Sequence, residues 1–439
     1  MAAIKFGTDG VRGRAHHDVT VADAFLIARA AAEVFGGSSA VIGRDTRESG
    51  PAFTAAVAAG LRAGGVEPFD LGIAPTPAVA FVARQRDAIG VVISASHNPW
   101  QDNGIKLFSR TGSKLSDRDQ QAVEARLAEL SQDDVPSQPT GHADSVQQQM
   151  GEWVAAVQRS IEVELTGLHV VVDCANGAAS HVAGPALTDL GAQVTVLYNE
   201  PTGQNINAQC GSTHPEALAA VVVELGADLG LAFDGDADRL VAVDGTGNRV
   251  DGDVIMALLA IDLNDRGLLA GSQLVVTVMS NLGLLRAMEA ANISVQVTPV
   301  GDRHVLMALD RLNANFGGEQ SGHLIFASHG GTGDGLLSGI QLMALLQRKH
   351  RPLADLATEV MTLFPQVLRN VVVSEKMPDI ADRIRAQIDA AESALGRNGR
   401  VLVRASGTEP VIRVMVEAAD ADMAARVCDE LCRTVEALR

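Results

Sequence analysis

Three carboxylates, Asp234, Asp236 and Asp238, alternate along Asp234-Gly-Asp-Ala-Asp-Arg239, directly after the apolar run Leu229-Gly-Leu-Ala-Phe233. Side chains at alternate positions of an extended segment share a face. The three would then repel one another unless a hard, oxygen-seeking cation sat among them. Gly235 would let the backbone wrap closely around such an ion. An EF-hand is excluded, because that loop needs Gly at its sixth position and Glu at its twelfth, where this chain has Arg239 and Gly245. Three carboxylates in one short loop leave coordination positions open, the usual arrangement for Mg²⁺ that must also touch a phosphate. Arg239 adds a phosphate-type donor beside them.

Three further loops carry polar side chains of unusual composition. Ser94-Ala-Ser-His-Asn-Pro99 follows the apolar strand Ile89-Gly-Val-Val-Ile93. Adjacent Ser and His do not make a hydrolase triad, whose base must meet the nucleophile in space. A serine with a metal loop elsewhere in the chain suits phosphoryl transfer, in which a hydroxyl accepts and returns a phosphoryl group. The same serines and Asn98 could instead only satisfy the loop backbone. Downstream, Lys106 offers charge or proton transfer at a phosphate-lined site. Gly317-Gly-Glu-Gln-Ser-Gly-His323 clusters Glu, Ser and His with glycines that allow close approach to a polyhydroxylated ligand. Arg404-Ala-Ser-Gly-Thr-Glu-Pro410, with Arg413 beyond it, reads as an anion cradle or as a long hairpin with surface arginines. The Gly-rich Phe6-Gly-Thr-Asp-Gly-Val-Arg-Gly13 is neither a Walker loop nor a dinucleotide fingerprint.

One unit that could position these loops recurs. A strand at Ala40 to Arg44, a helix at Ala52 to Ala63 and a strand at Val66 to Asp70 are followed by equivalents at Val170 to Cys174, His181 to Leu190 and Gln193 to Leu197. The third set lies at Gln273 to Thr277, Leu282 to Ala290 and Ser294 to Thr298. Each is a βαβ crossover, so helix-covered, largely parallel sheets are expected. Pro75 and Pro77 read as a turn, and the polar stretch 131–141 as a surface connection. From Gln366 the order changes to strand (Val367 to Val373), helix (Pro378 to Leu395), two strands (Arg400 to Arg404 and Val411 to Glu417) and a last helix (Asp420 to Leu438). The expected fold is α/β with four domains: three repeated α/β domains at 1–148, 149–250 and 251–365, and a C-terminal α+β domain at 366–439.

At 439 residues the chain is too long for one core. Its net charge of −18 excludes a general nucleic-acid or anionic-membrane surface, so any anionic ligand should be small. Cys174, Cys210, Cys428 and Cys432 read as reduced thiols without the further ligands a zinc site needs. With no signal-peptide pattern and no membrane-length apolar run, a soluble, cytoplasmic protein is expected.

Taken together, Phe6 to Gly13, Ser94 to Pro99, Asp234 to Arg239, Gly318 to His323 and Arg404 to Pro410 resemble the motifs of the α-D-phosphohexomutase superfamily, in the same order and across essentially the whole chain. Within it, Gly318-Glu-Gln-Ser-Gly-His323, Asn205-Ile-Asn-Ala-Gln-Cys-Gly-Ser-Thr-His-Pro215 and Val300-Gly-Asp-Arg303 are similar to the branch that acts on glucosamine phosphates rather than on neutral hexose phosphates. The resemblance implies an active site in a central cleft, with the last domain as a lid. Ser96 would carry the phosphoryl group, and Asp234, Asp236 and Asp238 would hold Mg²⁺ together with a phosphoserine oxygen. Arg12, His97 and Lys106 would surround the transferred group, with Lys106 a candidate acid or base. Glu319, Ser321 and His323 would meet the sugar, and Arg239, Arg404, Ser406, Gly407, Thr408 and Arg413 its phosphates. The implied chemistry interconverts 6- and 1-phosphates of one sugar through a 1,6-bisphosphate that turns over in the site. Relatives form dimers, so a homodimer is expected on the same ground. Three rivals stand beside this reading: a phosphomannomutase/phosphoglucomutase acting on neutral hexose phosphates, a phosphatase with Asp234 as nucleophile, and a silent metal and sugar-phosphate binder.

Overall fold

Ile89–Ile93 is buried at every residue, as a strand covered on both faces must be. In the computed structural model, which describes residues 6–7, 10–130, 135–406 and 410–438, it lies inside a six-stranded sheet. The order is Val11–Arg14, Asp102–Phe108, Ile89–Ile93, Ser39–Arg44, Glu67–Ile73, Asp144–Ser145. The first two pairings are antiparallel and the rest parallel. Helix Val21–Phe35 covers this sheet and starts at a capping box, in which Thr20 Oγ1 accepts from Asp23 N at 3.2 Å and Asp23 Oδ2 from Thr20 N at 2.8 Å. Its apolar face joins Phe53, Val57, Leu61, Ile42 and Val91 in one core.

The second sheet runs Arg249–Val250, Leu240–Asp244, Leu229–Phe233, His169–Asp173, Gln193–Leu197, parallel only across its last three strands. The third runs Ser294–Thr298, Gln273–Thr277, Phe316–Gly318, Leu324–Phe326, closing with an antiparallel hairpin. The fourth is a small antiparallel sheet, Gln366–Val372, Val411–Glu417, Arg400–Ala405. It packs on helices Arg385–Leu395 and Ala421–Glu436 through Ile388, Val414, Val416, Val427 and Leu431. The α/β and α+β classes are therefore as the sequence predicts.

Chain contacts divide the molecule into two units. Residues 1–277 and 293–357 form the first; residues 278–292 and 358–439 form the second. Helix Leu282–Ala290, the crossover of the third βαβ unit, thus falls in the unit of the C-terminal sheet and not in that of the strands it connects. Local differences have local causes. The expected helix at His181 to Leu190 is only Ala183–Thr188. The one expected at Pro378 to Leu395 is broken into Ile380–Arg383 and Arg385–Leu395, Ile384 having left helical dihedrals (φ −111°, ψ 25°). Pro75 and Pro77 start helix Thr76–Gln85 instead of forming a turn, as proline in a first helical turn favours. In the connection after 130, residues 131–134 lie outside the described ones, and Gly141 N donates to Ala55 O at 2.9 Å. Among the described residues no helix is long and apolar enough to cross a membrane.

Candidate active site

Both the acidic loop and the Ser94 to Pro99 loop leave buried strands at their C-terminal ends, and in the first unit they meet. Ser96 Oγ donates to Asp234 Oδ2 at 2.5 Å and lies 3.2 Å from His97 Nδ1. Ligand atoms of Asp234, Asp236 and Asp238 all fall within 4.8 Å of one another. The convergence has a different cause from the expected extended alternation. Residues 234–238 form a turn, closed by Ala237 N donating to Asp234 O at 3.0 Å, with Ala237 at φ +56°. Gly235 also serves another purpose than wrapping an ion: a Cβ there would sit 2.6 Å from Ser96 O. Only glycine lets the two loops touch.

The carboxylates are buried almost completely, at 0 to 2 % exposure. Burial, then repulsion from Asp238 and Asp236, pushes Asp234 up to about 8. Asp238 goes the other way: burial opposes its ionisation, but Lys106 and His323 hold it well below the usual carboxylate range. Lys106 Nζ, 2 % exposed, bridges Asp236 Oδ2 at 2.7 Å and Asp238 Oδ2 at 3.0 Å. Thr76 Oγ1 donates to Asp236 Oδ2 at 2.5 Å. Among the described residues, the opposite oxygens, Asp236 Oδ1 and Asp238 Oδ1, are buried and accept no hydrogen bond. Unsatisfied buried carboxylate oxygens are costly, and a divalent cation with oxygen ligands would remove that cost. The residues present fit a metal ion.

Lys106 and Arg12 share a face, because Arg12 pairs with Gly104, two residues before Lys106 on strand Asp102–Phe108. Burial and the charges of Arg239 and Arg12 lower the His97 imidazole to about 4, which places both arginines around it. Arg239 N also donates to Asp234 Oδ1 at 3.2 Å. The site therefore gathers a hydroxyl, an acidic triad and several cations.

The Glu319 to His323 loop is joined to this assembly by backbone. Leu240 N donates to Gly322 O at 3.0 Å, and Gly322, at φ +89°, passes so close that a Cβ would lie 2.0 Å from Leu240 O. Glu319 Oε1 accepts from Gly301 N at 3.0 Å, which ties the loop to Val300-Gly-Asp-Arg303. Ser321 Oγ is buried and has no hydrogen-bond partner among the described residues. His323, expected to meet the sugar, has protein groups at both ring nitrogens. At 2 % exposure, its Nδ1 lies 3.5 Å from Asp238 Oδ1, while Nε2 accepts from Gly333 N at 3.0 Å and lies 3.4 Å from Asp302 Oδ2. One of these contacts is to the acidic loop and the others are to Gly333 and Asp302. In the second unit, Arg404 and Arg413 are cross-strand partners, and burial together with the Arg413 charge lowers the Arg404 guanidinium. Two paired cations suit an anion. Ser406 lies two residues past Arg404, while Gly407 and Thr408 lie outside the described residues.

Several residues the sequence reading passed over sit at the centre. Asp45 and Arg47, in Gly43-Arg-Asp-Thr-Arg47 at the end of a parallel strand, bond the Ser96 loop, and Asn207 of the Asn205 to Pro215 segment does so as well. Polar residues crowding the carboxyl end of a parallel strand are a signal that could have found the first two. Lys114 pairs with Asp302 behind His323.

A four-domain α/β chain whose acidic triad meets a serine hydroxyl defines a class. Family domains match along it, described as phosphoglucomutase/phosphomannomutase alpha/beta/alpha domain I (residues 3–134), domain II (151–247), domain III (251–364) and the C-terminal domain (368–434). The chain belongs to the phosphoglucomutase/phosphomannomutase family, and within it to the phosphoglucosamine mutase branch. It is 47% identical to the phosphoglucosamine mutase of Carboxydothermus hydrogenoformans, covering 99% of both chains, and 48% identical to that of Rhodococcus opacus, covering 98% of both. A crystal structure of a phosphoglucomutase/phosphomannomutase family protein from Burkholderia thailandensis superposes at TM-score 0.81 with 28% identity, over 98% of this chain and 97% of the other. The fold is also that of the N-acetylphosphoglucosamine mutase of Aspergillus fumigatus, solved with GlcNAc-6P and magnesium, at TM-score 0.65, 19% identity and 98% and 95% coverage.

Proposed function

We propose that this phosphohexomutase interconverts glucosamine 6-phosphate and glucosamine 1-phosphate in the cytoplasm, through a phosphoserine at Ser96 and a 1,6-bisphosphate. The observation that carries the reading is Ser96 Oγ at 2.5 Å from Asp234 Oδ2 within a buried acidic triad. The names of the relatives at 47% and 48% identity support the choice of sugar. Asp234, Asp236 and Asp238 hold Mg²⁺, which when bound neutralises charge on the transferring phosphoryl group.

The chain's own residues do the rest. Sugar O1 attacks the phosphorus on Ser96, the bond from phosphorus to Oγ breaks, and the proton lost by O1 leaves Ser96 protonated when the exchange is complete. The bisphosphate turns over and the 6-phosphoryl group passes to Ser96, the same bonds forming and breaking in reverse. Arg12 and Arg239 balance phosphoryl charge, and Lys106 holds Asp236 and Asp238 in place through its two hydrogen bonds. His97, 3.2 Å from Ser96 Oγ, orients that oxygen. Glu319 and Ser321 read sugar hydroxyls, and His323 steadies Asp238. Arg404, Ser406, Gly407, Thr408 and Arg413 hold the phosphate not being transferred. Segments 1–148, 149–250, 251–365 and 366–439 are the four domains that present these loops, and the enzyme is a homodimer.

The test is kcat/KM for glucosamine, glucose and mannose phosphates, with Mg²⁺ and a trace of bisphosphate, for the wild type and Ser96→Ala. The amino sugar should lead by about tenfold or more, equivalent to about 1.4 kcal/mol of transition-state discrimination, and Ser96→Ala should be inactive. A neutral hexose leading would overturn the choice of sugar, and an active Ser96→Ala the phosphoserine.

A further inference from the structure

Ser96 has φ +53°, a left-handed backbone that a residue with a Cβ adopts only when its surroundings impose it. Its carbonyl oxygen is where they do so. Arg47 Nη2 donates to Ser96 O at 2.9 Å and Asn207 Nδ2 at 2.8 Å, and the same two groups reach Asn98 O at 2.8 and 3.0 Å. Arg47 Nη1 adds Asp102 O at 2.9 Å and Pro99 O, so one guanidinium gathers the carbonyls of Ser96, Asn98, Pro99 and Asp102. That guanidinium is 1 % exposed, and its Nε is fixed by Asp45 Oδ2 at 2.8 Å. The same Oδ2 accepts from Ser94 Oγ at 2.6 Å, and Ser94 Oγ accepts from Ser96 N at 2.8 Å. Both the amide and the carbonyl of Ser96 are thereby held by side chains outside the hexapeptide or braced from outside it. Asn207 holds its own left-handed turn, φ +57°, with its N donating to Ala175 O at 2.9 Å.

A buried guanidinium spent on backbone carbonyls contributes no charge to substrate, and Asn207 has no reason to approach Ser96 O for the stability of its own strand order. The arrangement aims an atom. We propose that Arg47, fixed by Asp45, and Asn207 are positioning residues that hold the Ser96 backbone left-handed so that its Oγ faces Asp234. This rests on Ser96 being the phosphoryl carrier. It also gives the Asn205 to Pro215 segment, which marks the glucosamine branch in sequence, a part in aligning phosphoryl transfer rather than in reading the sugar.

The full-length enzyme carrying Asn207→Asp tests it. Asp tolerates the same left-handed turn and keeps the size, but replaces the donor by an oxygen facing two carbonyl oxygens. With saturating Mg²⁺ and bisphosphate, kcat should fall about tenfold to a hundredfold, since misplacement of about 1 Å costs that much, while KM stays within about twofold. Single-turnover transfer from pre-phosphorylated Ser96 to glucosamine 6-phosphate should slow by the same factor, with thermal unfolding little changed. Arg47→Lys, which keeps the charge but cannot span the carbonyls, should lose more; if it does not fold, Asn207→Asp decides alone. Unchanged kcat, a rise confined to KM, or a loss matched by the fall in folded fraction would overturn the proposal. A wild type that never carries phosphoryl on Ser96 would remove its premise, and is distinguished because the wild type itself then fails.

Discussion

At the scale of single residues the site is organised by oxygen atoms with too few partners and backbones with too little room. Among the described residues Asp236 Oδ1 and Asp238 Oδ1 lack hydrogen bonds in a buried place, so a divalent cation should stabilise the folded protein. At a hundredfold excess over Kd, Mg²⁺ should add about 2.7 kcal/mol, read as a rise in Tm that Asp236→Asn removes; an unchanged Tm in the wild type would contradict the metal assignment. Gly235→Ala places a Cβ 2.6 Å from Ser96 O and should lower kcat by about a hundredfold with far-UV circular dichroism unchanged. Retained activity would mean that the two loops need not touch. The acidic triad, Ser96 and Lys106 were legible because their residue types are rare together at such spacing. Arg47, Asn207 and Thr76 were not, because ordinary residues acquire their part only through contacts across long sequence separations, such as Thr76 to Asp236 and Asn207 to Ser96. His323 was legible as a site residue but not in its orientation, which depends on Gly333 and Asp302.

Elements determine whether those residues stay aligned. Gly322 carries the Glu319 to His323 loop past Leu240 at φ +89°, so Gly322→Ala should destabilise by on the order of 2–4 kcal/mol in denaturant titration; a change below about 0.5 kcal/mol would show that the approach relaxes freely. Helix Gly335–Lys349 begins at Asp334, which accepts from Leu337 N at 2.9 Å and Trp153 Nε1 at 3.0 Å, and whose carboxyl burial pushes up to about 6. A carboxyl raised by folding contributes most below its unfolded pKa of about 3.9 and loses that contribution as pH rises through its folded value. Asp334→Asn keeps an acceptor without titrating. Relative to the wild type it should gain on the order of 1–3 kcal/mol between about pH 4 and about pH 7, measured by urea unfolding at both pH values. No change in the difference would contradict the shift. Strands such as Gln193–Leu197 and Val411–Glu417 were readable end to end from their alternation and turn signals. Asp102–Phe108, which carries Lys106, was not read as a strand, its first half being Asp-Asn-Gly, a composition that locally signals a turn.

For the whole molecule, the order of elements was legible and the partner of one helix was not. Helix Leu282–Ala290 follows βαβ connectivity, yet it belongs to the second unit, where buried Glu417 accepts from Leu282 N at 2.9 Å, Arg400 Nε at 2.7 Å and Gln366 Nε2 at 2.8 Å. No local pattern encodes that long-range choice. Glu417→Ala leaves Arg400 without its carboxylate and should cost about 3–5 kcal/mol. Hydrogen exchange should rise in 278–292 and 358–439 and stay unchanged in 1–277; a uniform rise would argue that the units unfold as one. The central claim, that Ser96 carries the phosphoryl group, is tested most directly by incubating the enzyme with radiolabelled glucosamine 1,6-bisphosphate and locating the label by peptide mapping. It should reside on the Ser96 peptide, resist hydroxylamine, and chase into sugar monophosphate with unlabelled bisphosphate. Hydroxylamine-labile label on the Asp234 peptide, or label on Ser96 that does not chase, would contradict it.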